Sequence, residues 1–120
     1  MNLLKRANEM CIKLNIEPET IVEIKDLTDC FKSEKSPVVV GTIIKYYKDI
    51  FPTYAVLMTS GWYKQWSCNG TKADIVRVIR NMKYYSLKQH QIAHILSLSQ
   101  SQVSQLSRAK NIGDHASEVE

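Results

Sequence analysis

Apolar residues recur at three- and four-residue intervals along much of this chain, a spacing that predicts amphipathic helices. Leu3, Leu4, Ala7, Met10, Cys11 and Leu14 form the first such stripe and place a helix that ends near Asn15. Pro18 suits the first turn of a second helix, with Ile21, Ile24, Leu27 and Phe31 as its buried side. Ser36 and Pro37 read as an N-cap and first helical residue, opening a third helix through Ile43, Ile44, Tyr47 and Ile50. Between Pro52 and Asn69 two readings compete. Tyr54, Leu57, Met58 and Trp62 fit a helix, whereas Tyr54-Ala-Val-Leu-Met and Trp62-Tyr-Lys-Gln-Trp around Ser60-Gly61 fit a hairpin; the helix is preferred.

After Asn69-Gly70 the local signals change. Three hydroxyl residues are each followed three positions later by an acidic or amide side chain: Thr71 by Asp74, Ser86 by Gln89, and Ser99 by Gln102. In a capping box the hydroxyl accepts from an unpaired first-turn amide while the later side chain reaches back, so each pattern marks a helix start. The predicted helices run about Lys72 to Tyr84, Leu87 to Leu96 and Gln100 to Ala109, with Gly113 as a stop. The expected fold class is therefore all-α: an N-terminal helical lobe over residues 1–70, a tri-helical unit over 71–113, and an acidic tail over 114–120 expected to lack fixed structure.

Charge sharpens this division. The chain of 120 residues carries a net charge of +4, but it is unevenly spread. Between Thr71 and Ile112, Lys72, Arg77, Arg80, Lys83, Lys88, Arg108 and Lys110 stand against the single anion Asp74, while residues 1–70 hold nine Lys or Arg against eight Asp or Glu. A basic block of this kind is the footprint of a surface that neutralises phosphates. Cys11, Cys30 and Cys68 are widely spaced and form no CxxC pair, so neither a zinc knuckle nor a disulfide framework is expected. Lys5, Arg6, Glu9 and Lys13 interrupt the N-terminal apolar residues, which argues against a signal peptide or membrane span; a cytoplasmic protein is expected.

A helix-turn-helix needs a small residue where its helices touch, apolar residues facing a shared core, and a polar outward side on the second helix. Ile92, Ile95 and Leu96 supply the inward side of the first helix, Ala93 the small contact, Leu98 the apolar plug of the turn, and Val103 and Leu106 the inward side of the second. Gln100, Ser101, Ser104, Gln105 and Arg108 remain outside, all hydrogen-bonding and none a carboxylate. The run Gln89-His-Gln-Ile-Ala-His-Ile-Leu-Ser-Leu-Ser-Gln-Ser-Gln-Val-Ser-Gln-Leu106 resembles the phage Cro and repressor class of helix-turn-helix proteins, and is also similar to region-four sigma-factor and partition-protein motifs. The resemblance covers about Asp74 to Asn111. It implies that Gln89 contacts a phosphate while bracing the recognition helix, and that Gln100, Ser101 and Gln105 face bases. Ser97 departs from the pattern, standing where that class usually has Gly, as do Ser107 and Ala109 after the recognition helix.

The residues themselves suggest compatible roles. A glutamine amide matches the N6 and N7 edge of adenine, so Gln100 or Gln105 can read a base, and Ser101 and Ser104 can contact bases or phosphates. Lys88, Arg108 and Lys110 are candidate backbone contacts by their charge, with Ser99 and, as the resemblance implies, Gln89 beside them. His90 and His94, four apart, resemble a zinc-protease helix, but Gln91 stands where the catalytic Glu is needed. No catalytic signature, cofactor or metal site is expected. The aromatic residues Tyr46, Tyr47, Phe51, Tyr54, Trp62, Tyr63 and Trp66 could stack single-stranded bases, although core packing or a dimer interface suits them better. The expected function is sequence-specific binding of duplex DNA by a homodimeric transcriptional regulator, on the resemblance a repressor of phage, plasmid or mobile-element type. The alternatives are a DNA-binding part of a partition, replication or terminase machine, and a protein-interaction adaptor that uses the same fold without DNA.

Overall fold

The computed structural model describes residues 2–29 and 38–108. The chain divides into two compact units, Met1–Ser67 and Cys68–Glu120.

The first unit corrects the all-α expectation. Among its described residues are one helix, α1 (Leu3–Leu14), a 3-10 turn at Pro18–Thr20, and four strands: β1 (Ile21–Asp29), β2 (Val38–Tyr47), β3 (Pro52–Met58) and β4 (Tyr63–Ser67). The strands form an antiparallel sheet in the order β1-β2-β3-β4. With the three helices among the described residues of the second unit the fold is α/β.

Asn2 opens α1 by accepting from the Lys5 amide at 2.8 Å, and Asn15 closes it in a left-handed conformation with φ 56°. Pro18 does begin a helical turn, but it lasts three residues. Thr20, Ile21, Val22 and Ile24 follow, and side chains branched at Cβ favour a pleated strand over a helix. The same holds for Val38-Val39-Val40 and Thr42-Ile43-Ile44 in β2. Phe31 and the Ser36-Pro37 cap lie outside the described residues. Residues 52–67 form the hairpin rather than the helix, turning through Gly61 at φ 99°, where the Gly61 amide bonds the Met58 carbonyl.

Register explains why these strands carry a helix-like spacing of apolar residues. Ile24 pairs with Ile44, and Ile44 with Ala55, on the side that meets α1. There Ala7, Met10, Ile16, Ile44, Tyr46 and Ala55 form a buried cluster bordered by Leu14, Ile21 and Leu57. Leu27 pairs with Gly41, and Ile43 with Val56, on the opposite side of the pleat, and these side chains are buried as well. A sheet buried on both sides loses the alternation of apolar and polar residues that marks a strand. The supposed stripe Ile21, Ile24, Leu27 is thus split between two faces. Each fully buried aliphatic side chain here contributes roughly 1.5–3 kcal/mol. Arg6 adds a polar tie from α1, donating to Thr42 Oγ1 at 2.9 Å and pairing with Asp26.

The second unit contains α2 (Lys72–Tyr84), α3 (Gln89–Leu96) and α4 (Gln100–Ser107). Among the described residues no helix is long and apolar enough to cross a membrane. Gly113 and residues 114–120 lie outside the described residues.

Candidate nucleic-acid interface

The three helices are positioned by their ends. Thr71 caps α2, its Oγ1 accepting from the Asp74 amide at 3.3 Å. Asp74 does not return the bond to Thr71. Its carboxylate accepts instead from the Asn69 amide at 2.7 Å and from Arg77 Nε at 2.7 Å. Burial opposes its charge, but these donors prevail and hold its pKa below the ordinary 3.8.

The predicted box at Ser86 and Gln89 does not form. Ser86 has φ 67°, and its amide bonds the Lys83 carbonyl while the Leu87 amide bonds Met82, the paired closure that ends a helix. A residue so used cannot be an N-cap, which needs extended backbone. Lys88 takes that position for α3, and its amide donates to Gln91 Oε1 at 2.8 Å. Gln91, 5% exposed, is therefore a structural side chain that sequence reasoning missed.

Ile92, Ala93, Ile95 and Leu96 of α3 are buried, as is Val103 of α4, while Leu98 and Leu106 are half-buried. The turn between these helices spans Ser97–Ser99. Ser97 adopts φ 56° and ψ 43°, the backbone conformation for which glycine is favoured, and the Leu98 amide closes α3 onto the Ala93 carbonyl at 2.9 Å. Ser99 then opens α4 with a complete capping box: Ser99 Oγ accepts from the Gln102 amide at 3.0 Å, and the Ser99 amide donates to Gln102 Oε1 at 2.9 Å.

With α4 so anchored, its outward side is set by helical geometry. At 100° per residue, positions 100, 101, 104, 105 and 108 fall within an arc of about 140°, opposite Val103 and Leu106. Gln100, Ser101, Gln105 and Arg108 are exposed and Ser104 is half-buried. Arg108 Nη1 donates to Ser104 Oγ at 2.9 Å, a link that the four-residue spacing could have disclosed. Gln89 is half-buried, and its Nε2 donates to the Gln100 carbonyl at 3.1 Å, joining the start of α3 to the start of α4. Lys88 and Ser99 are exposed at the starts of those helices. Lys110 lies outside the described residues.

The described part of this unit is cationic. Lys72, Arg77, Lys83, Lys88 and Arg108 are exposed and Arg80 is half-buried, whereas Asp74, the anion among the described residues of this unit, is tied to Arg77. His90 is half-buried and His94 exposed, and no group of three or more metal-ligating side chains is found among the described residues. In the first unit Tyr46, Tyr54 and Trp66 are buried at 7%, 8% and 5% exposure, which favours packing over base stacking for these rings. Compared with known proteins, the chain matches no family model, no curated protein and no solved structure.

Proposed function

We propose that this protein binds duplex DNA in a sequence-dependent way through the outward side of α4, and that it regulates transcription by doing so. One observation carries the reading: a capped helix presents a stripe of hydrogen-bonding side chains free of carboxylates, braced at its first residue by Gln89. Such a stripe enters the major groove without repelling phosphates. Gln100 and Gln105 supply amides that match adenine, while Ser101 and Ser104 add shorter contacts. Lys88, Gln89, Ser99 and Arg108 hold the phosphates and set the register. The resemblance of the Gln89–Leu106 segment to the Cro and repressor class supports the same assignment.

An eight-residue helix reads few base pairs, so binding as a homodimer to two half-sites is part of the proposal. Anisotropy of a labelled random duplex pool, titrated with the full chain across a salt series, tests the reading. The logarithm of the affinity should fall linearly with the logarithm of the salt concentration. An adaptor that uses the fold for protein contacts would leave the anisotropy unchanged at every salt concentration.

A further inference from the structure

A cleft of about 300 Å3 opens within the Met1–Ser67 unit, between the end of α1, the turn before β1 and one end of the sheet. Its lining is mostly polar, with Leu14 as the aliphatic contribution. Tyr46 and Gln65 meet there, the buried tyrosine hydroxyl donating to Gln65 Oε1. Burial pushes the Tyr46 pKa up, so the hydroxyl keeps its proton, and Gln65 retains both amide N–H donors for another partner.

Asn15 lines the cleft from the left-handed cap of α1, its backbone held by the bond from its own amide to the Cys11 carbonyl. Thr20 Oγ1 donates to the Glu17 carbonyl at 2.6 Å, which orders the short turn that carries Glu17. Glu17 and Lys48 bring opposite charges to the same cleft, and among the described residues neither forms an ion pair.

We propose that this cleft binds a small zwitterion of the α-amino-acid type, with its ammonium group on Glu17 and its carboxylate on Lys48 and the Gln65 amide. The lining disfavours the other ligand classes. A phosphate or dicarboxylate would meet the Glu17 carboxylate, and a cation would find a single carboxylate there. An apolar ligand would leave both charges without a partner. A neutral polyol would compensate neither charge, whereas a zwitterion compensates both. The cleft lies wholly within one unit, so binding is measurable whether or not the protein binds duplex.

The test is a titration of the isotope-labelled full chain with each standard L-amino acid, following the side-chain amides of Asn15 and Gln65 by NMR. The N-acetyl and carboxamide derivatives of any binder, together with glycerol and glucose, are titrated alongside. At least one free amino acid should shift both amides saturably, with each capped derivative about tenfold weaker or worse, because each lacks one charged contact. Glu17→Gln and Lys48→Met, both at exposed positions, should each weaken binding by a similar factor while leaving the rest of the spectrum unchanged. The proposal is overturned if no free amino acid saturates the shifts, if capped derivatives or polyols bind equally well, or if both variants bind like the wild type.

Discussion

Gln89 Nε2 donates to the main-chain carbonyl of Gln100 at 3.1 Å, so the first side chain of α3 fixes where α4 begins. A bond across a turn of this kind sets the orientation of the outward face, and it connects a candidate phosphate contact to a candidate base reader. Removing it should therefore affect binding more generally than specificity. Gln89→Ala is expected to lower affinity for all duplexes by about 0.5–1.5 kcal/mol, the worth of an ordinary hydrogen bond. Gln89→Glu should lose more, because a carboxylate neither donates to the carbonyl nor tolerates a phosphate. Titrations of the two variants against one duplex pool check the order.

The two serines of the predicted caps separate cleanly. Ser99→Ala removes a formed cap and should cost on the order of 1 kcal/mol of stability. Ser86→Ala removes a hydroxyl that caps no helix, and should stay within about 0.5 kcal/mol of wild type. Urea unfolding of both variants measures the difference, and equal losses would contradict the assigned starts of α3 and α4.

Gly41 tests the corrected fold. In a helix, replacing glycine by alanine stabilises by roughly 0.5–1 kcal/mol. In β2, a Cβ at Gly41 would lie 2.8 Å from the Leu57 carbonyl oxygen on the neighbouring strand. That atom belongs to the backbone and cannot swing aside, so Gly41→Ala should destabilise by about 1–3 kcal/mol. The sign of the change in urea midpoint decides between helix and strand.

Asp74 should make part of the stability depend on acid. Its folded pKa lies below the ordinary value, so its contribution is fully present above the unfolded pKa and is lost as pH falls through the folded one. Asp74→Asn keeps the shape but lacks the charge. The stability gap between wild type and this variant should be widest near neutral pH and shrink as pH falls below the ordinary carboxylate pKa. A gap of constant size would mean that the bonds to Arg77 and Asn69 do not depend on ionisation.

The second unit was legible because its signals are local. Thr71 and Ser99 cap the helices that follow them, and Ile92, Ile95 and Val103 lie on the buried sides that three- and four-residue spacing assigns. Ser86 misled because its polar side chain suits either end of a helix, and only its positive φ reveals which. The sheet was hidden for a different reason. Ile43 and Ile44 point to opposite faces and both are buried, so β2 has no alternation to read, and helical spacing arises by accident from two separate faces. The Cβ-branched runs at Ile21-Val22 and Val38-Val39-Val40 were the available signal, and Ser60-Gly61 marked the hairpin turn. The cleft at Glu17 and Lys48 was out of reach, because it joins residues from the end of α1, the turn before β1, two strands and the connection after β2 that become neighbours only once the sheet forms.

The most direct measurement of the central claim is selection from a random duplex pool by the wild-type chain and by Gln100→Ala in parallel. The wild type should enrich a defined, two-fold symmetric sequence, and the variant should enrich the same sequence with preference relaxed at one base position in each half-site. Enrichment of no sequence by the wild type, or an identical consensus from both proteins, would contradict the assignment of α4 as the helix that reads the bases.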